Sequence, residues 1–157
     1  MRGKQAPKRK IEGDAKYNDV DIAKFINYIM IGGKKTVAQK IVYGAFDIIK
    51  EQTKQDPRHV FSKALKKVSP LVEVRGKRIG GANYQVPFQV RGERRFNLGC
   101  KWIIEAAAGR KGKPMHEKLA AEIMDAVKKK ERLIKRKKAS TEWPKPTRPL
   151  LTLRAKY

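Results

Sequence analysis

Alternating apolar and polar positions mark the stretch from Val72 to Val90 as a β-hairpin. The alternation is clearest from Ala82 to Val90 and is typical of a half-buried strand. The pair Gly80-Gly81 separates two strand-forming runs and suits a tight two-residue turn, because glycine adopts positive φ without penalty. Gly76 is a second candidate irregularity, since a glycine inside a strand can mark a bulge.

Apolar residues at helical spacing predict five helices around this hairpin. The second has the broadest apolar face, and we interpret it as a core helix. Asn18 or Asp19 can cap the first helix, while Pro57 starts the third and Pro70 ends it. The predicted helices span about 19–31, 35–54, 57–69, 93–108 and 115–127.

The charge balance of the chain points to a polyanionic partner. The 157 residues favour a single domain, and 39 Lys and Arg against 15 Asp and Glu give a net charge of +24. Such an excess destabilises a compact state unless a polyanion neutralises it. No apolar run approaches the roughly 18 residues of a membrane span, and the N-terminus lacks the apolar region of a secretory signal. We therefore expect a nucleic-acid partner and no membrane.

Basic residues cluster at both ends and in the connections. Residues 1–18 are interpreted as a flexible basic arm, with a merely solvated tail as the alternative. Lys34 and Lys35 follow the Gly32-Gly33 helix stop, where their amines and free backbone N–H groups would suit phosphate. The spacing of a P-loop is absent.

No constellation of catalytic or metal-binding residues is present in the sequence. His59 and His116 stand singly, and there is no Cys-His cluster. Cys100, the one cysteine, lies on an apolar helix face and is interpreted as a packing residue that suits a reducing compartment. We predict no enzyme, no metal, no cofactor and no small-molecule substrate.

Several motifs resemble one family, the small-subunit ribosomal protein number seven in its bacterial and organellar form. The resemblance covers about residues 4–127. The matching strings are G-K-K-T-V-A-Q-K-I-V-Y-G-A-F-D-I-I (33–49), V-F-S-K-A-L (60–65), R-I-G-G-A-N-Y-Q-V-P (78–87), E-R-R-F-N-L-G-C-K-W-I-I-E-A-A (93–107) and K-P-M-H-E-K-L-A-A-E-I-M-D-A (113–126). Because several long motifs agree in order, the resemblance is specific.

The resemblance implies a mainly α fold: a helical bundle of five helices, six in the family, with a protruding two-stranded β-hairpin. It also implies a structural constituent of the small ribosomal subunit that binds the 3′ major domain of small-subunit rRNA and nucleates head assembly. Neighbouring head proteins would be partners, and E-site tRNA and mRNA would lie nearby. The expected location is the cytoplasmic ribosome, with an organellar ribosome left open.

The resemblance further implies an rRNA-binding surface made from the arm, the first interhelical loop, the hairpin base and the fourth helix. In this sequence its members are Arg2, Lys4, Lys8, Arg9, Lys10, Lys34, Lys35, Arg75, Lys77, Arg78, Arg94 and Arg95. Arginine suits such a surface because it pairs bidentately with phosphate and stacks on bases. Glu73 and Glu93 are expected to orient arginines or face solvent, and Trp102 is expected to pack in the core.

Two other functions compete with this interpretation. Histone-like DNA-architectural proteins also join a helical body to basic β-arms, but their arm tips carry a wedging proline, and here Pro87 lies well down the second strand. A nuclease would need the acid, base or metal ligands that the sequence lacks. Both alternatives are therefore disfavoured.

The C-terminal tail departs from the family. We divide the chain into the arm 1–18, an rRNA-binding domain 19–128 with its hairpin at about 72–90, and a basic, atypical, disordered tail 129–157. When codons from about 134 to 153 are read one nucleotide earlier, permitted third bases spell the family's usual ending, K-K-K-E and then H-R-M-A-E-A-N-K-A-F-A-H-F. We interpret the tail as the product of a one-nucleotide frameshift between about Val127 and Ile134.

An independent nucleotide read across codons 125–157 tests this hypothesis. We expect one base gained or lost before codon 134, which would restore the family's ending. Detection of tail peptides by mass spectrometry of purified small subunits, together with an unchanged read, would contradict the frameshift.

Overall fold

The computed structural model describes residues 3, 6–7, 11–79 and 81–128. Its elements are α1 Val20–Ile29, α2 Lys35–Thr53, α3 Pro57–Val68, β1 Val72–Ile79, β2 Ala82–Gln89, α4 Gly92–Ala108 and α5 Met115–Val127. The predicted mainly α fold, with a hairpin between the third and fourth helices, is confirmed for these residues. The proposed tail from residue 129 lies outside the described residues, as does any sixth helix there.

Helix boundaries follow local capping chemistry. Asp19 caps α1, because its carboxylate accepts a hydrogen bond from the Asp21 backbone N–H at 2.8 Å. Asp56 does the same for α3 by accepting from Arg58 N at 3.0 Å, and Pro57 occupies the first helical position. These signals made the helix starts predictable from sequence.

The hairpin is an uninterrupted antiparallel ladder. Its register runs from the Val72–Gln89 pair to the Ile79–Ala82 pair, which leaves a two-residue loop. Gly81 in that loop has φ of +86°, which glycine adopts without penalty. The ladder passes through Gly76 opposite Gln85, so the bulge considered at Gly76 is not formed.

The core is built around α5, which packs against α2, α3 and α4. Leu119, Ala120 and Ile123 of α5 are fully buried. On the other side of the core, the Phe61 ring lies 4.8 Å from Phe25 and 5.8 Å from Phe46 between centroids, distances typical of favourable aromatic pairs. The bundle therefore has one continuous apolar interior.

A buried ion pair fixes the turn between α4 and α5. Glu122 is only 1% exposed, Arg110 donates to its Oε2 from Nε at 2.7 Å, and Arg110 Nη2 lies 2.6 Å from the same oxygen. Arg110 Nη2 also lies 2.5 Å from Asp125 Oδ2. A buried carboxylate is tolerated only when it is paired, so Arg110 of the basic turn at 109–113 stabilises the fold.

Close packing of α4 against the end of α3 depends on Gly99. A Cβ built at this position would lie 2.8 Å from Ser69 Oγ and 3.3 Å from Leu65 Cδ2. Both distances are below ordinary van der Waals contact. Glycine thus allows the two helices to approach.

The variant Gly99→Ala is expected to lower the free energy of unfolding by about 1–2 kcal/mol, because overpacking outweighs the gain in helix propensity. Urea unfolding of the RNA-free protein measures the change. The matched control is Gly92→Ala in the same helix, where no atom lies within 4 Å, and it should not destabilise the protein.

A second variant identifies the clashing atom. Adding Ser69→Ala to Gly99→Ala removes the Oγ that lies closest, so part of the lost stability should return. If Gly99→Ala alone is as stable as the parent, the tight α3–α4 contact is not a constraint on this fold.

Candidate nucleic-acid interface

The two faces of the hairpin differ in chemistry. Residues opposite each other on an antiparallel pair share a face, so Arg75 and Lys77 lie beside Phe88 and Tyr84 on one side. The Arg75 guanidinium lies 6.0 Å from the Phe88 ring centroid, within range of a cation–π contact. Arg78 lies on the opposite face. The three predicted hairpin cations therefore do not form a single patch.

A bidentate ion pair joins the base of β1 to the first turn of α4. Arg94 donates from Nε to Glu73 Oε2 at 2.6 Å and from Nη2 to Glu73 Oε1 at 2.7 Å. Arg75 Nε lies 3.6 Å from the same carboxylate. The predicted role of Glu73, orienting arginines, is confirmed.

Electrostatics support this pairing. The hydrogen bond from Arg94 is the main cause that lowers the pKa of Glu73 below its usual value, and the same contact raises the pKa of Arg94. The Glu73 side chain is 16% exposed and that of Arg94 is 50% exposed. Two of the Arg94 donors are thus directed at Glu73, while half of the side chain remains open to solvent.

Arg95 faces a different environment from Arg94. It lines a cavity of about 360 Å³ between α1, α3 and α4, together with Arg58, Lys66, Asp19 and Asp21. Arg58 and Lys66 are neighbours of Arg95 that the sequence does not predict. No local signal connects these positions, because they are brought together only by packing of three helices.

Lys34 and Lys35 are exposed where the α1–α2 connection enters α2. Gly32 and Gly33 both have positive φ, which turns the chain sharply before these lysines. Lys34 N donates to Ile31 O at 3.2 Å and Lys35 N donates to Gly33 O at 2.9 Å. The expectation of free backbone N–H groups is therefore wrong for these two residues, and their side-chain amines are the groups open to an anion.

The base of the N-terminal arm is anchored by Asp14. Its carboxylate accepts hydrogen bonds from the Tyr43 hydroxyl at 2.8 Å and from the backbone N–H groups of Lys16 and Tyr17 at 3.2 and 3.3 Å. Burial raises the pKa of Tyr43 to about 12, and the hydrogen bond to Asp14 is the second cause of this increase. The chain is thus fixed to α2 from Asp14 onward. Five predicted arm residues lie outside the described residues: Arg2, Lys4, Lys8, Arg9 and Lys10.

Two predicted packing residues occupy the expected environments. Trp102 is half-buried against the core. Cys100 is fully buried, and burial raises the pKa of its thiol to about 12. Within residues 11–79 and 81–128, no group of three His, Cys, Asp or Glu side chains is arranged to hold a metal ion. None of the described helices combines the length and the apolar character needed to cross a membrane.

Comparisons with known proteins agree with the resemblance seen in the sequence. A family model described as "Ribosomal protein S7p/S5e" matches residues 1–143. Small ribosomal subunit protein uS7 of Thermotoga neapolitana is 55% identical over 137 residues, which cover 87% of this chain and 88% of that protein. The uS7 proteins of Caldanaerobacter subterraneus subsp. tengcongensis and Francisella tularensis subsp. holarctica are 58% and 52% identical over 132 and 137 residues. These alignments cover 80% and 87% of this chain, and 85% and 87% of the two relatives.

The Glu73–Arg94 pair predicts a specific pH dependence of stability. Because the folded-state pKa of Glu73 is lowered, its contribution is present above the unfolded value and is lost as the pH falls through the folded value. Glu73→Gln should therefore lower the free energy of unfolding at pH 7 by up to about 1 kcal/mol, the range of partly exposed pairs.

Urea unfolding at a series of pH values measures this effect. The difference in free energy of unfolding between Glu73→Gln and the parent should narrow as the pH falls below about 4.5, the ordinary pKa of glutamate. Glu12→Gln, at an exposed glutamate, is the control and should leave the curve unchanged. A gap that stays constant down to pH 2 would contradict the ion-pair explanation.

Proposed function

The chain belongs to the ribosomal protein S7p/S5e family, and from that membership we propose that it is a structural constituent of the small ribosomal subunit that binds small-subunit rRNA. The observation that carries the proposal is the match of the family model to residues 1–143, with relatives above 50% identity across most of the chain. Members of this family are structural components and not enzymes.

The surface chemistry supports RNA as the ligand. Lys34, Lys35, Lys77 and Arg78 are exposed cations, and Arg75 lies beside an aromatic ring as in a base-stacking surface. Folded RNA is recognised largely through its backbone and shape, which requires many cations. At the hairpin base, Glu73 is paired with Arg94 and lies near Arg75. These exposed cations therefore suit the phosphate backbone of a folded RNA.

The finer assignments follow from the family resemblance. The RNA target is the 3′ major domain of small-subunit rRNA, and binding there starts assembly of the subunit head. Neighbouring head proteins are partners, and the protein lies near the E-site tRNA and the mRNA exit. The proposed location is the cytoplasmic ribosome, with an organellar ribosome as the alternative. The rRNA-binding surface combines the arm cations with the cations of the α1–α2 loop, the hairpin base and α4.

A competition experiment tests the RNA target. Labelled 3′ major domain rRNA is bound by the full chain at fixed salt and displaced by unlabelled rRNA fragment or by duplex DNA of equal phosphate content. Preferential displacement by rRNA is expected. Equal displacement by duplex DNA would favour the histone-like alternative, which the family match leaves without support.

The hairpin cations provide a quantitative prediction. Replacing Arg75, Lys77 and Arg78 together with Ala should weaken rRNA binding. The slope of log K against log salt should fall by about one for each phosphate that the variant no longer neutralises. Since Arg78 lies on the opposite face from the other two, Arg78→Ala alone should produce a separate, smaller change.

A charge-matched control separates direct binding from net charge. Lys40, Lys50 and Lys63 are exposed lysines of α2 and α3 outside the proposed surface, and their triple Ala variant removes the same charge. It should leave the slope nearly unchanged. If the variant with Ala at Arg75, Lys77 and Arg78 has the same slope of log K against log salt as the parent, the hairpin is not part of the binding surface.

A further inference from the structure

An open groove of about 560 Å³ runs between α1 and the first turn of α4. Val20, Lys24 and Tyr28 line it from α1, where spacing of four residues places them along one helix face. Glu93 and Phe96 line it from α4, and Ile11 lines it from the segment before α1. The volume lies within the roughly 300–1,000 Å³ of small-ligand sites.

Aromatic and cationic groups converge in this groove. The Tyr28 and Phe96 rings lie 6.4 Å apart between centroids, with planes tilted by 44°. The Lys24 ammonium lies 5.6 Å from the Phe96 centroid, within cation–π range. Tyr28 is 38% exposed although it is a large aromatic residue. The groove therefore offers aromatic ring surface with a cation beside it.

The lining favours a planar ring over a bare phosphate. A phosphate site needs several donors or cations, whereas this groove has one cation, Lys24, beside four apolar or aromatic residues and a carboxylate, Glu93. The Asn27 side-chain amide, also in the lining, carries both a donor and an acceptor. Those are the groups that bind the edge of a nucleobase while its face stacks on an aromatic ring.

The surroundings favour RNA over a protein segment as the occupant. Phe96 lines both this groove and the cavity that Arg95 lines, so the groove adjoins a member of the proposed rRNA-binding surface. A chain of net charge +24 attracts a polyanion to this face. Single-stranded nucleic acid combines a backbone that tracks cations with bases that stack on aromatic rings.

We propose that the groove formed by Lys24, Tyr28 and Phe96 holds one unpaired, unstacked base of the bound RNA. The inference rests on the proposed function for the identity of that RNA. Lys24 and Tyr28 were absent from the cations and aromatics singled out in the sequence, because one lysine and one tyrosine on a helix surface look like an ordinary solvated face. Only the juxtaposition with Phe96 of α4 distinguishes them.

The test exploits the difference between stacking and charge. Tyr28→Leu removes the aromatic face but no charge, so it should weaken RNA binding about 5- to 150-fold, the range for loss of one base-stacking interaction. The salt slope should not change, because the number of released counterions stays the same. Tyr28→Phe keeps the ring and should bind as the parent does. Thermal unfolding of each variant verifies that the fold is intact.

Two RNA probes separate this proposal from the proposed function. One is the 3′ major domain fragment, and the other is an eight-nucleotide single strand of unrelated sequence, measured at low salt. If rRNA specificity fails but Tyr28→Leu still weakens binding of the single strand, the base site stands and the rRNA assignment falls. If Tyr28→Leu binds both probes as tightly as the parent does, the proposed base site is wrong. A protein segment would then be the alternative occupant of the groove.

A double-mutant cycle completes the test. Abasic nucleotides are placed one at a time at the unpaired positions of the rRNA fragment. One abasic position should weaken binding to the parent protein and have little further effect on Tyr28→Leu, since both changes remove the same interaction. Additive losses at every position, or a reduced salt slope in Tyr28→Leu, would overturn the proposal.

Discussion

The buried pairing of Glu122 with Arg110 is the interaction on which the bundle depends. Glu122 lies on α5, the helix that packs against α2, α3 and α4, and its carboxylate is almost completely removed from water. Loss of one partner from such a pair strands a charge in the interior and typically costs about 3–5 kcal/mol. Because Arg110 belongs to the turn before α5, the same ion pair sets the length and direction of the α4–α5 connection. The ion pair thus links the turn that follows α4 to the buried face of α5.

Much of the fold was predictable because its signals are local. The helix starts at Asp19 and Pro57 and the turn at Gly81 depend on capping or backbone freedom within a few residues. The contacts of the site were not predictable in this way. Glu73 and Arg94 are 21 positions apart, and nothing in either segment specifies that they meet. The pairing of Arg110 with Glu122 was equally unpredictable, because 12 positions separate the two residues and neither segment specifies that they meet.

The structure divides the charged residues into two populations. Acids such as Asp14 and Glu122 are buried and hold the chain together, and Glu73 holds the hairpin to α4. Exposed lysines such as Lys34 and Lys77 carry the excess positive charge at the surface. Geometry is therefore set by a few directed pairs, while attraction to a polyanion is spread over many groups. The two properties can change independently during evolution of the chain.

The burial of Cys100 also has a consequence for handling the protein. It is the one cysteine in the sequence, it lies in α4 without exposed surface, and its thiol is held in the protonated, unreactive form. A thiol reagent therefore reaches it only when α4 separates from its neighbours, so the rate of modification reports the opening of this part of the fold. Modification of Cys100 therefore measures local opening of the native sequence, without an introduced cysteine.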